Sequence, residues 1–263
     1  MPALILCVYF RVYACLMSID SLHILLSDIG KAIESGLGDL NDWGKADGHP
    51  GQYKHDVVAD SIAIPILESA GLGVISEESE PIGLDRTFVA VIDPIDGSTN
   101  AALGLPWYAL SICIINHEGA VLSYVRNLAT GATYSAERGS GSEKNGAPIS
   151  ASLIEGVDDA IIVLNDFPSN HFGWKQYRTM GSAALDLCCV ADGTFDGFVD
   201  FSPGLAVWDY AGAALICEEA NAKVTTSSGE EIGFSSFRSD FVSRKKIVAS
   251  GSIALHGELL DAC

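Results

Sequence analysis

Five short apolar runs follow one another at 73–76, 87–92, 109–115, 120–127 and 132–136, with Gly, Asn or Asp between them. Runs of this length bounded by turn residues predict strands joined by tight connections rather than helices. Helical periodicity brackets them. Ahead of the strands, Ile19, Leu22, Leu25, Leu26, Ile29 and Ile33 share one helical face. Residues 57–70 read as a second helix, in which Pro65 must kink the axis or sit near the first turn. A polar loop rich in Gly and Asp over 36–51 joins the two. Behind the strands the pattern alternates: strand 160–164, helix 181–192, strand 197–201, helix 207–219, strand 247–250 and helix 252–260. No linker or repeat interrupts the chain. The expectation is an α+β architecture of mixed sheets and helices in layers.

The 263 residues suffice for one large domain or two closely packed lobes. Lys and Arg number 15 against 34 Asp and Glu, a net charge of −19. That field repels nucleic acid and anionic membranes, so neither is an expected partner. A phosphorylated metabolite remains compatible if metal ions reverse the sign locally. With 48% hydrophobic and 19% charged residues, the chain is no acidic disordered tail. Seven cysteines form no CxxC pair, and several sit in apolar runs, as expected of a reduced, cytoplasmic protein. Cys188 and Cys189 read as core-facing thiols rather than a redox switch. Residues 1–16 lack a basic start, carry Arg11 in mid-run and are too short to span a bilayer. They read as an artefactual or disordered extension ahead of a true start at Met17.

The densest chemical signal is Val91-Ile92-Asp93-Pro94-Ile95-Asp96-Gly97-Ser98-Thr99-Asn100. Two carboxylates at a strand end, held by a rigid turn, can share hard cations through oxygen. Pro94 leaves turn carbonyls free as further ligands, and Gly97 and Ser98 offer N–H groups at a helix start, a seat for phosphate. A capped, Asp-rich turn is the ordinary alternative. Two distant features shift the balance: the acids Glu77 and Glu78 just after a strand, and Trp208-Asp209 at the head of an apolar helix. The spacing of Asp93 and Asp96 is not the DxD of an aspartyl-phosphate enzyme, and Gly104 stands where an EF-hand needs Glu. No P-loop, GxSxG elbow or HExxH occurs, and the six histidines read as surface or loop residues.

At these residues the sequence resembles the inositol monophosphatase family, Mg²⁺-dependent and lithium-sensitive phosphatases of the wider fructose-1,6-bisphosphatase superfamily. The matches are Glu77-Glu78, DPIDGSTN from Asp93 to Asn100, Gly139-Ser140-Gly141 with Asn145-Gly146 and Pro148-Ile149, GSAALDLC from Gly181 to Cys188, and WDYAGA from Trp208 to Ala213. The resemblance implies a layered αβαβα sandwich. It implies that Glu77, Asp93 and the Ile95 carbonyl hold the Mg²⁺ that activates water, while Asp93 bridges to a second Mg²⁺ completed by Asp96 and Asp209. Gly97 and Ser98 N–H groups would bind phosphate, and the Ser98 hydroxyl, Thr in most of the family, would position the nucleophile. Ala183 and Asp200 would meet the alcohol, although Asp200 lies two residues further from Trp208 than the usual Glu. A third Mg²⁺ would draw on Asp60 from a shifted backbone, since strict alignment leaves Ile62 in that place.

Two lobes are thus expected, a metal-binding α+β lobe over 17–150 and an α/β lobe over 151–263, packed as one catalytic unit. The reaction implied is hydrolysis of a small phosphate monoester by metal-activated water, without a phosphoenzyme. Inositol-1-phosphate leads. Fructose-1,6-bisphosphate, histidinol phosphate and 3′-phosphoadenosine 5′-phosphate are alternatives, and relatives commonly form homodimers. The reading from a different class is a non-catalytic regulator that binds metal or phosphometabolites.

Overall fold

The computed structural model describes residues 18–48 and 51–263. The expectations for residues 1–16 and Met17, and for His49, fall outside them. Helix α1 (Ile19–Gly38) opens at Ser18, whose hydroxyl accepts from the Ser21 N–H. It runs past Gly36, where the sequence predicts a loop. A Cβ at Gly36 would lie 2.4 Å from Ile62 Cδ1, so this glycine marks a close helix crossing rather than a helix end. Helix α2 (Lys54–Ser69) starts three residues earlier than expected and carries Pro65 in its interior.

Strands β1 (Gly73–Ser76), β2 (Val89–Asp96), β3 (Ala109–Asn116), β4 (Gly119–Asn127), β5 (Thr133–Glu137), β6 (Gly141–Lys144) and β7 (Ala147–Pro148) form one seven-stranded sheet in chain order. Between β2 and β3 lies the short helix α3 (Ser98–Leu103). A second sheet, of five strands in the order β11-β12-β10-β8-β9, is built from β8 (Ile161–Asn165), β9 (Gln176–Arg178), β10 (Gly197–Asp200), β11 (Lys223–Thr226) and β12 (Ile247–Ser250). Helices α4 (Ala183–Ala191), α5 (Val207–Glu219) and α6 (Ile253–Leu260) complete the order.

Strand alternation turns these elements into five layers. Ala90, Ile92, Leu110, Ile112, Ile114 and Leu122 pack with Leu22, Ile29, Ile33 and Leu67 of α1 and α2 on one face of the large sheet. Val89, Val91, Cys113, Ile115 and Val125, on the opposite face, join α4 and α5 and reach Val163, Phe198 and Ala249 of the second sheet. The far face of that sheet, with Ile162, Val199 and Val248, meets Leu255 and Leu259 of α6. The layering is αβαβα. Because α4 and α5 are covered by a sheet on each side, every residue of α4 is buried, and helical amphipathicity is lost.

Four described cysteines, Cys113, Cys188, Cys189 and Cys217, are buried and free. Two histidines correct the sequence reading: His55 and His256 are buried, not superficial. The His256 ring lies between the Thr225 and Ser250 hydroxyls at 2.8 and 3.0 Å, which satisfies both its nitrogens.

Candidate metal centre and active site

In a regular strand, residues three apart point to opposite faces, so Asp93 and Asp96 should diverge. The pairing of β2 with β3 shows why they do not. Asp93 faces Ser111 while Asp96 faces Ala109, so three steps on one strand match two on the other. The extra residue is a bulge around Pro94, which has no N–H to give the ladder. It sends Ile95 into the α1–α2 core and returns Asp96 to the side of Asp93. The Ile95 N–H donates to Asp93 Oδ1 at 2.9 Å, fixing that carboxylate over the turn.

Gly97 follows at φ +94°, and an added Cβ would lie 3.0 and 3.1 Å from the Trp107 and Gly181 carbonyl oxygens. Only glycine fits there without strain. Ser98 then starts α3 and donates its hydroxyl to the Ile95 carbonyl at 2.9 Å. His55, between the rings of Trp43 and Tyr53 at 5.1 Å each, sets Nε2 3.2 Å from the Ser98 carbonyl and braces the turn from below.

Two further elements deliver carboxylates to this turn. Glu77 stands just past β1, its N–H donating to the Ile92 carbonyl at 3.3 Å. Asp209 occupies the first turn of α5, where Oδ2 accepts from the Ala206 N–H at 2.7 Å. Ligand oxygens of Glu77, Asp93 and Asp209 all lie within 4.8 Å of one another. Asp96 sits beside them with Oδ2 accepting from Ser182 Oγ at 2.6 Å and the Ala184 N–H at 2.7 Å, at the start of α4. These acids line a cleft of about 540 Å³ together with Asp56, Glu78, Ile95, Gly97, Ser98, Thr99, Gly181, Tyr53 and Lys45.

Crowding is visible in the protonation behaviour. Burial, then the charges of Asp209, Glu78 and Asp96, pushes the Glu77 carboxyl up to about 8, although one side of the residue is open to solvent. Burial and then Glu77, Asp96 and Asp209 drive Asp93 well above the carboxylate range. Burial and Asp96 lift Asp209 to about 7, against the Ala206 N–H and Arg244. Burial raises Asp96 to about 6, and its hydrogen bonds from Ser182 and Ala184 hold it lower than its neighbours. Such a set is unfavourable alone and suits a small, hard divalent cation, which takes oxygen ligands and supplies the missing positive charge. The donors present fit Mg²⁺.

Other expected site residues stand elsewhere. Asp60 does not line the cleft: its Oδ1 accepts from Ser76 Oγ at 2.7 Å and Ser79 Oγ at 3.4 Å. Four residues advance a helix by about 6 Å, so Asp60 lies a turn beyond the acid that does reach the cleft, Asp56. The available signal was local: Asp56 Oδ2 accepts the Tyr53 N–H at 2.9 Å, as an acid at the third position of a helix does. Ala183 is buried and does not line the cleft, whereas Gly181 does. Asp200 is buried at the end of β10, with Oδ1 accepting from Asn165 and the Ser202 N–H and Oδ2 unpartnered. Lys45 went unread. Its ammonium covers the Tyr53 ring at 3.4 Å and donates to the Gly51 carbonyl at 2.7 Å.

Fold and carboxylate cage together define a metal-dependent phosphomonoesterase. The sequence profile of the inositol monophosphatase family matches residues 68–262, and the chain belongs to that family. It is similar to the fructose-1,6-bisphosphatase/inositol-1-monophosphatase of Archaeoglobus fulgidus, 40% identical over 211 residues that cover 78% of this chain and 81% of the relative. The protein of the same description from Methanothermobacter thermautotrophicus is 32% identical over 258 residues, covering 89% and 87%. Among solved structures, a Pyrococcus horikoshii protein with similarities for inositol-1 monophosphatase superposes with TM-score 0.84 at 24% identity, covering 94% of this chain and 99% of that one. That likeness speaks for the fold alone. Among the described residues no helix is long and apolar enough to cross a membrane.

Proposed function

We propose that the chain hydrolyses a small phosphate monoester with Mg²⁺, inositol-1-phosphate or a related sugar or polyol phosphate, with water as nucleophile and no phosphoenzyme. The observation that carries this is the convergence of Glu77, Asp93 and Asp209 from three separate elements. With Asp96 and the Ile95 carbonyl they are the groups that would hold two ions; Asp56 is the acid placed to serve a third. Bound there, Mg²⁺ would lower the pKa of the attacking water and neutralise charge on the leaving oxygen.

The chain's own part is positioning. The Ser98 hydroxyl commits its proton to the Ile95 carbonyl, which leaves its lone pairs to accept from the attacking water. The left-handed turn at Gly97 leads into α3, and the N–H groups of Gly97 and Ser98, both at the cleft, are the donors that would meet phosphate oxygens. No Ser, Thr, Cys or His is needed as a covalent carrier. Inhibition by Li⁺ and a homodimeric assembly belong to the same reading and rest on family resemblance, and a cytoplasmic location rests on the unpaired cysteines in apolar runs.

Phosphate release from inositol-1-phosphate, fructose-1,6-bisphosphate, histidinol phosphate and 3′-phosphoadenosine 5′-phosphate, with Mg²⁺ and with or without Li⁺, tests it. At least one should turn over only with the divalent ion, and hydrolysis in ¹⁸O-water should place one label in the phosphate. Turnover undiminished by EDTA would reject the metal-dependent mechanism.

A further inference from the structure

Beside the cleft lies a histidine that the mechanism above does not use. His55 stands in the first turn of α2 and is fully excluded from solvent. Tyr53 stacks on its ring at 20° and Trp43 lies tilted at 36°, each with its centroid 5.1 Å away. A ring between two aromatic faces is ordinary packing, and phenylalanine would fill that space without stripping water from two nitrogens. Nδ1 gains no hydrogen bond of ordinary geometry among the described residues. What the imidazole adds over an apolar ring is therefore the contact at Nε2.

Nε2 is 3.2 Å from the Ser98 carbonyl oxygen and 3.3 Å from Asp56 Oδ1. A carbonyl oxygen only accepts, so the ring carries a proton on Nε2 and donates it there. That one N–H joins two elements of the cleft wall, the acid in the first turn of α2 and the turn that opens α3. Ser98 is thereby held at two points: its hydroxyl donates to the Ile95 carbonyl at 2.9 Å, and its own carbonyl accepts from His55. The second point matters because Gly97, immediately before it at φ +94°, has the widest backbone freedom of any residue type and supplies no restraint of its own.

We propose that His55 is a positioning residue for the hydrolysis: by holding the Ser98 carbonyl through Nε2–H, it keeps the Ser98 hydroxyl in place for the attacking water. This rests on the hydrolase reading above and adds to it a residue from behind the cleft wall. His55 does not line the cleft, so it acts through Ser98 and not on the substrate. A misplacement of about 1 Å at a reacting centre costs about a hundredfold in rate, and orientation of the water counts only in the transition state, so the effect belongs to kcat.

Two variants separate positioning from packing. His55→Phe keeps a ring between Trp43 and Tyr53 and removes the donor. His55→Gln gives up the ring and offers an amide N–H in place of Nε2–H. On the best of the four monoesters named above, at saturating Mg²⁺, His55→Phe should lower kcat about tenfold or more with KM changed by less than about threefold, and His55→Gln should keep kcat within about threefold of wild type. The reverse order, or parallel losses in both variants, assigns His55 to packing and overturns the proposal. A second measurement depends on no variant's folding. In ¹⁵N-histidine NMR of the wild-type protein at neutral pH, with His55 assigned through its contacts to Trp43 and Tyr53, Nε2 should be protonated and its hydrogen slow to exchange; an unprotonated Nε2 overturns the proposal. If wild type releases phosphate from no monoester, the hydrolase reading falls and the positioning role with it, whereas failure of the proposal alone leaves wild-type turnover intact.

Discussion

Asp93 is 2% exposed and faces Glu77, Asp96 and Asp209, so its charge is opposed by both burial and its neighbours. Replacing it by Asn keeps the shape and the acceptor for the Ile95 N–H while removing one repelling charge. Asp93→Asn should therefore abolish Mg²⁺-dependent phosphate release. It should also stabilise the metal-free protein by about 1 kcal/mol or more, read as a higher melting temperature in EDTA. A variant that turns over normally, or melts lower without metal, contradicts this account of the cage. Gly97 gives the complementary case. An alanine there meets two carbonyl oxygens in a left-handed conformation, so Gly97→Ala should cost about 1–2 kcal/mol in denaturant unfolding and lower kcat more than it changes Mg²⁺ affinity. Equal melting and activity in that variant would show that the turn relaxes. The importance of these residues was legible in the sequence as DPIDGST. That Asp93 and Asp96 share a face was not, because it depends on a bulge measured against β3.

Among elements, α4 shows how a helix start is tied to the site. Ser182 caps it by accepting from the Leu185 N–H and at the same time donates to Asp96. Ser182→Ala removes both bonds from a buried position, so its cost should exceed that of an ordinary cap and reach about 2 kcal/mol by urea unfolding. A loss no greater than a few tenths would mean that water replaces the hydroxyl. Helix α5 matched its sequence-based bounds, 207–219, and β12 matched 247–250, since both are apolar runs cut off by polar residues. The strands β6, β7, β9 and β11 were missed. Gly141–Lys144 is largely polar, Gln176–Arg178 is exposed throughout, and Lys223–Thr226 carries one aliphatic residue. Each is a strand because a neighbouring strand offers it hydrogen bonds, and side-chain pattern does not report that. Asp60, which the family resemblance offered only from a shifted backbone, does not line the cleft, and Asp56, one helical turn earlier, does.

For the whole molecule, His256 and the cage acids give opposite pH dependences. Burial, with Lys223 nearby, lowers the His256 ring to about 4 from an ordinary value near 6.5. Its neutral form is the folded one, so the stability it contributes is present above 6.5 and is lost as pH falls towards 4. The cage acids are raised instead, Asp209 to about 7 and Glu77 to about 8. Unfolding releases their protons once the pH passes the ordinary carboxylate range, so metal-free stability should fall as pH rises from about 4 to 8, and saturating Mg²⁺ should flatten that decline. Melting curves across pH 4–9 in EDTA and in Mg²⁺ check both effects: His256 opposes the decline between about 4 and 6.5, so His256→Gln should steepen it there and leave the slope above 6.5 unchanged. A metal-free protein that grows more stable from pH 6.5 to 8 would show that the acids are not crowded as described.

Alternating apolar runs and turn residues were enough to determine a layered α+β chain, since strand and helix periods are local properties of the polymer. A few short acidic motifs likewise announced metal-assisted phosphate chemistry. Which acids meet was decided only in three dimensions. Glu77, Asp93 and Asp209 are far apart along the chain, and the bulge at Pro94, the close helix crossing at Gly36 and the stacking of both sheets on α4 and α5 bring them or their supports into place. Those arrangements depend on packing between distant segments, and one residue of register or one helical turn is sufficient to change which carboxylate faces the cleft.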